Sequence, residues 1–507
     1  METITQTVKI RKTPFIDIFS WALGNGAISL IMNGIFGFSM LYYGQALGLS
    51  MFKVGLAMSI PTFWDAITDP VMGHITDNTR SRWGRRHPYI LLGGLASVVS
   101  FYFIWKVPGI FLQGEWILFT YLLATNIILR TGLTVFMIPF GALGMEICTD
   151  YDQRADLNAT GVVVNMTCNL LGPAMAWFIF FGKGLGEEVA EIGGVKPTSI
   201  PQNYINMGTT FTIASLAFIL LVVFLTRKYA KDSRNLTEMS GGSALDFFRD
   251  MKDIVLDRNP RTVFLFQFCV YLGIVFVSAI QMFVYVHFMN FTGMETFLVH
   301  GATMVGCGIG AGFSSLLTRW IDKKPSVFFG GLVSVGANFL MGALFLTGIL
   351  SPGQKWLLGG AEIPIATITF GILGFIYWFG NGVHGAICAS MMADISEVNK
   401  RNTGILKDGA YAAFFSFLTK CSMAVALLIV SICIDIAGFN ADLNTQPHEV
   451  VMRLGMMMFF IAPAISLASV AIMYWYPIDR KFMMAIKAEL AARETLDTDT
   501  QEEIEVR

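Results

Sequence analysis

The sequence predicts an all-α integral membrane protein, with twelve transmembrane helices arranged as two six-helix bundles. Three observations carry that expectation. The 507 residues are 54% hydrophobic and only 14% charged, a balance that soluble globular domains do not show. Twelve apolar runs reach the ~20 residues that a membrane crossing requires. The positive residues also alternate between loops: twenty-seven of the 35 Lys and Arg lie in the termini and the even-numbered loops, whereas the odd-numbered loops hold only Lys53, Lys106, Lys183, Lys196 and Lys355. Positive residues accumulate on the cytoplasmic side, so this bias predicts both termini inside.

The runs lie at 15–44, 54–76, 88–106, 115–145, 157–182, 207–226, 262–289, 296–318, 326–350, 364–395, 408–435 and 450–477. The charged stretch from Arg227 to Arg261 follows the sixth run. It divides the chain into a first bundle at 1–226, a linker at 227–261, a second bundle at 262–477 and a tail at 478–507. Parallel repeats of this kind are how many carriers build a midplane site. The first run is too long for a cleavable signal and has no small-residue cleavage site behind it, so it is expected to stay in the protein. Acidic and basic residues nearly balance, 36 against 35, which leaves no large field to hold nucleic acid. The seven cysteines lie in apolar stretches with neither CxxC spacing nor a neighbouring histidine, and read as small buried apolar residues.

Within the first bundle, span 1 carries Asn25, Ser29 and Asn33 at helical spacing. Span 2 holds Asp65 and Asp69, two carboxylates on one helical face that repel unless a proton or cation lies between them. An ionised side chain in hydrocarbon costs about 3 kcal/mol or more. Pro70 cannot donate to the carbonyl of Ala66, leaving an oxygen of the kind hard cations prefer. The competing structural role is a salt-bridge network with Arg130 or Lys420. The loop cluster Arg80, Arg82, Arg85 and Arg86 fits a cytoplasmic loop obeying the positive-inside rule. Span 4 places Arg130 and Thr134 four residues apart. Thr134 can lend its hydroxyl to the same ion, and Arg130 either holds an anionic substrate group or neutralises an aspartate. Span 5 adds Asn158, Asn165 and Asn169.

In the second bundle, span 7 carries Gln267, Tyr271, Ser278 and Gln281. Span 8 has Gly306, Gly308, Gly310 and Gly312 inside an apolar helix with no preceding strand, which reads as close helix packing and not as a dinucleotide loop. Span 10 carries Tyr377, Asn381 and His384, and span 11 has Lys420. Four polar stripes favour a wet, substrate-binding cavity lined by Asn25, Ser29, Asn33, Asn165, Gln267, Gln281, Tyr377, Asn381 and His384. For any one of them an interhelical hydrogen bond is the simpler role. Asp394, Glu397 and Arg401 after span 10 echo Glu146, Asp150 and Arg154 after span 4.

The run Trp64-Asp65-Ala66-Ile67-Thr68-Asp69-Pro70, with Gly73, Asp77, Arg80-Ser81-Arg82-Trp83-Gly84-Arg85-Arg86 and Pro88-Tyr89, resembles the signature of the glycoside-pentoside-hexuronide:cation symporters, a branch of the major facilitator superfamily. Ser20-Trp21, Gly24, Ile138-Pro139-Phe140, Met392-Ala393-Asp394-Ile395 and Asp408-Gly409 extend the likeness along the chain. The resemblance implies the major facilitator fold and a sodium- or proton-coupled symporter with no cofactor beyond the coupling ion. It places the cation, as a metal ion on Asp65 and Asp69, in a site completed by Thr68 and Thr134, with Lys420 nearby as a coupling residue. Thr68 stands where melibiose permease has asparagine.

The sugar side departs from melibiose permease: Ser29, Met137, Val162, Gly141 and Gly385 stand where that protein has its sugar-site acids, arginine and tryptophans. Together with Arg130 and Lys420, these losses favour an anionic or bulky glycoside such as a hexuronide. A lipid-like substrate and a non-transporting receptor of the same fold are the alternatives. The expected partners are a small-molecule glycoside, the coupling cation and the lipid bilayer of a bacterial inner membrane. No motif of an enzyme is present in a water-facing loop.

Overall fold

A computed structural model of the chain describes residues 12–148, 151–182, 196–232, 261–358, 361–403, 408–441, 443, 445–476 and 478–490. Most of the expected linker and most of the acidic tail lie outside these residues, as does Asp150. Twelve helical segments of spanning length occur among them. In the first half α1 is Phe15–Met40 with a π segment at Leu41–Ala46, α2 Met51–Asp77, α3 His87–Trp105, α4 Glu115–Ile147, α5 Tyr151–Asn169 continuing to Phe180, and α6 Pro201–Thr226. In the second, α7 is Arg261–Phe283 with a π segment to Phe288, α8 Gly293–Ile321, α9 Lys323–Leu346, α10 Ile365–Thr403, α11 Asp408–Ile436 and α12 His448–Met456, which continues to Ile472. A short hairpin pairs Trp356–Leu358 with Ala361–Ile363, setting Trp356 opposite Ile363.

Eleven of these helices are long and apolar enough to cross a membrane. The exception is α2, which is long enough but less apolar because Asp65 and Asp69 sit in its middle and Asp77 at its end. The twelve spans expected from sequence therefore all form helices, and the one that falls short on hydropathy is the one carrying the paired acids. The remaining outward faces are oily: Leu92, Val99, Ile213, Phe224 and Leu332 are exposed, as helices surrounded by lipid require.

The chain divides into two compact units. One is Met1–Ala244 with Thr292–Phe297 and Phe439–Thr445; the other is Leu245–Phe291, Leu298–Gly438 and Gln446–Arg507. In the first, α1 packs on α5 and α6, and α3 packs on α4 and α6, while α4 also packs on α2. In the second, α7 packs on α11 and α12, and α9 packs on α10 and α12. The pairings of the first, third, fourth, fifth and sixth helices are thus repeated.

Glycine makes the closest of these approaches possible. A Cβ on Gly93 of α3 would sit 2.6 Å from the Phe136 nitrogen of α4, and one on Gly380 of α10 would collide with the Gly330 carbonyl of α9. In membrane helices, small residues of this kind let backbones touch and dispersion act across the seam. Gly306 and Gly310 likewise abut the carbonyls of Phe375 and Phe379, whereas Gly308 and Gly312 meet nothing within 4 Å. Close packing thus accounts for the two glycines one turn apart, and not for the whole run.

Each unit also ties the region where its third helix begins to the C-terminal part of its fourth helix. Arg85 Nη2 reaches Glu146 Oε1 at 2.6 Å, and Arg86 bonds Glu146 at 3.0 Å and Asp77 at 2.6 Å. In the second unit Lys323 reaches Asp394 at 2.5 Å. Arg85 and Arg86 are therefore more than loop charge, because they hold α3 to the ends of α2 and α4.

Candidate cation-binding site

The site is built where α2 lies along α4. Asn126, Arg130 and Thr134 recur every four residues and form one stripe on α4. Asn126, fully buried, donates to the Ala57 carbonyl of α2 at 3.0 Å. Just outside the stripe, Trp64 Nε1 donates to Thr131 Oγ1 at 3.0 Å. These bonds fix the register of the two helices, and that register sets Thr134 against both acids of α2.

Thr134 Oγ1 lies 2.5 Å from Asp65 Oδ1 and 3.0 Å from Asp69 Oδ1. Thr68 Oγ1 is 3.4 Å from Thr134 Oγ1 and donates towards the Trp64 and Asp65 carbonyls of its own helix. Asp65, Thr134 and Arg130 are buried, at 6%, 2% and 2% exposure, whereas Thr68 and Asp69 are half-buried. All four expected cation ligands therefore meet at one point. A hydroxyl has a single proton to donate, so Thr134 cannot satisfy two ionised carboxylates fully, and the two acids repel each other across it. A proton on one acid, or a cation among the four oxygens, relieves both problems. Oxygen donors of this type suit a hard ion.

Arg130 stands beside this cluster without closing it. Its Nη1 is 3.7 Å from Asp65 Oδ2, an ion-pair contact too long for a hydrogen bond. The same nitrogen points at Met32 Sδ, also at 3.7 Å, and the guanidinium sits over the Phe36 ring at 5.3 Å. Lys420 is on α11 in the other unit, half-buried.

Seven of the nine residues expected to line a substrate cavity are drawn into bonds between and within helices, whereas the Asn25 amide nitrogen and the Tyr377 hydroxyl are buried with no hydrogen-bond partner. Ser29 donates to the Asn165 carbonyl at 2.9 Å, Asn165 approaches the Asn25 carbonyl at 3.4 Å, and Asn33 donates to Ser29 at 2.9 Å. In the second unit Gln267 bonds the Phe415 carbonyl and Thr419 at 2.8 and 2.7 Å. Gln281 accepts from Trp378 at 3.2 Å, and Asn381 donates to the Tyr377 carbonyl at 3.0 Å. His384 Nε2 lies 2.9 Å from the Val327 carbonyl. These side chains knit α1 to α5, α7 to α10 and α11, and α10 to α9, and that is the simpler of their two roles. Asn126 lies outside the polar stripes expected from sequence, although its four-residue offset from Arg130 marks it. Asp17, buried in α1 and bonded by Lys228 at 2.6 Å and by Tyr229 at 2.8 Å, was also passed over, because it lies at the edge of an apolar run.

Two six-helix units of membrane-spanning helices, one carrying paired acids at its heart, define a multi-pass membrane carrier of the major facilitator class. The profile of the MFS/sugar transport protein family matches residues 20–480, and the chain belongs to that family. Among its relatives is the glucuronide carrier protein homolog of Escherichia coli, 22% identical over 88% of this chain and 89% of that protein. The sodium-dependent lysophosphatidylcholine symporter 1 of Gallus gallus is 24% identical over 88% of this chain and 83% of that one. In fold, the chain is similar to the inward-open xylose transporter XylE from E. coli, with a TM-score of 0.60 at 14% identity over 94% of this chain and 99% of that one. The likeness to cation symporters read at residues 64–89 agrees with these relatives.

Proposed function

We propose that the protein is a symporter that uses Asp65 and Asp69 to couple sodium ions or protons to the uptake of a glycoside. One observation carries this reading: two carboxylates a single helical turn apart share one threonine hydroxyl inside an apolar bundle. A charge pair of that kind is costly unless something positive visits it. Thr68 completes the oxygen set, Arg130 borders it, and Lys420 is the coupling lysine of the second unit. When a cation and a substrate bind the same carrier state, each raises the other's affinity by the same factor. That coupling lets the cation's gradient drive the substrate uphill.

Likeness to the glucuronide carrier homolog supports a sugar derivative, and likeness to the sodium-dependent lysophosphatidylcholine symporter supports sodium. The latter also favours a second reading, a lysophospholipid cargo. The loop bias of Lys and Arg supports a cell membrane with both termini, the linker 227–261 and the tail 478–507 on the cytoplasmic side. In this reading the protein has no catalytic residues and no cofactor besides the coupling ion.

Proteoliposomes of the purified protein, given a sodium or proton gradient and a panel of labelled glycosides and lysophosphatidylcholine, test the proposal. Gradient-driven uptake that Asp69→Asn abolishes is expected. Uptake of equal rate and extent with and without any gradient would overturn it.

A further inference from the structure

Arg130 is the least satisfied charge among the described residues of the first unit. It is 2% exposed, yet its Nε and Nη2 have no hydrogen-bond partner at all. Its third nitrogen, Nη1, has only the 3.7 Å contacts to Asp65 and Met32. A buried guanidinium left in this state is strongly unfavourable, and folding alone gives no reason to retain it. The identity of the two unpaired atoms is informative. Nε–H and one Nη2–H run parallel and form the fork that matches the two oxygens of a carboxylate. The arginine thus turns one edge to the cation site and keeps a ready bidentate edge unused. Beside the guanidinium, Met32 and Phe36 of α1, both half-exposed, offer a sugar ring apolar contact.

We propose that the Nε–Nη2 edge of Arg130 holds the carboxylate of an anionic glycoside, a uronide, and that a cation at Asp65 and Asp69 releases the arginine to do so. This inference rests on the symport reading. With no cation bound, Asp65 draws on the charge of Arg130 across 3.7 Å. A cation among the oxygens of Asp65, Asp69, Thr68 and Thr134 takes over Asp65, and the guanidinium charge is then left for the substrate. Cation and anionic substrate thereby favour each other through one side chain, which supplies a physical link for the coupling.

The test compares methyl β-D-glucuronide, methyl β-D-glucoside and lysophosphatidylcholine as cargo in proteoliposomes under a sodium or proton gradient. Arg130→Gln is expected to raise KM for the glucuronide about 100-fold and to lower glucoside uptake by no more than about fivefold. Arg130→Lys, a charge without the fork, is expected to recover about tenfold of the loss. The wild type should bind the glucuronide more tightly as sodium or proton concentration rises, a dependence that Arg130→Gln flattens. If Arg130→Gln does not fold, the KM-against-kcat split of Arg130→Lys decides, with the expected change in KM alone. Equal losses for all cargoes, or wild-type uptake of the glucoside or lysophosphatidylcholine without the glucuronide, would overturn this role for Arg130 and leave the symport reading standing. No gradient-driven uptake of any of the three by the wild type would overturn both.

Discussion

At the scale of single residues, the account turns on how few groups share how much charge. Thr134 contributes one hydroxyl to two acids, so its loss should be felt by the cation before anything else. A hydrogen bond to a charged group is worth about 1.5–3 kcal/mol, which corresponds to roughly a 10- to 100-fold change in an equilibrium constant. Thr134→Ala also removes an oxygen from the proposed site, so it is expected to raise the half-saturating sodium concentration for uptake by about that factor. It is expected to lower the half-saturating proton concentration, because the lost hydrogen bond favours the ionised carboxylates. Thr134→Ser should reverse most of either change, because the hydroxyl returns and only a methyl is missing; a dose–response curve of initial uptake rates measures both. Asp65→Asn removes a buried carboxylate of the proposed site that also faces Arg130, and is expected to abolish cation dependence altogether.

At the scale of helices, the seams are set by glycine and by single polar bonds. Gly93 meets the α4 backbone so closely that a side chain there must push the two helices apart. Gly93→Val is expected to destabilise the folded protein by about 3 kcal/mol or more, whereas Gly37→Ala, at a helical glycine with nothing within 4 Å, should be neutral or slightly stabilising. Thermal unfolding of the two variants in detergent checks this contrast. The helices themselves were plain in the sequence, because hydropathy over some twenty residues depends on composition and hardly on neighbours. The meeting of Asp65, Asp69 and Thr134 was also legible, since they are marked by an i, i+4 spacing and by the cost of charge in an apolar run. The use of the polar stripes was not legible. Whether Ser29, Gln267 or His384 faces a cavity or a neighbouring carbonyl depends on which helix lies beside it, and hydrogen bonds between residues more than fifty positions apart leave no periodic trace. The partners of Arg85 and Arg86 were hidden for the same reason, as Glu146 is sixty residues away in the chain.

At the scale of the molecule, the recurring helix pairings and the matching ties at Glu146 and Asp394 describe two units built to one plan. Glu146 accepts from both Arg85 and Arg86, and Arg86 is buried at 6% exposure. Glu146→Gln is expected to cost about 2 kcal/mol, by leaving the buried Arg86 guanidinium with Asp77 as its one charge partner in place of two, and denaturant titration in detergent reads that loss. The orientation is open to a separate check: a cysteine placed at Lys355 should react with an impermeant maleimide added outside intact cells, and one at Arg82 only after permeabilisation. The most direct measurement is calorimetric binding of sodium to the purified protein at several pH values, in the wild type and in Asp65→Asn and Asp69→Asn. Binding of a single cation per chain, either a sodium ion that protons displace or a proton alone, and its disappearance in both variants, is the predicted result. Cation binding that survives unchanged in both variants would contradict it.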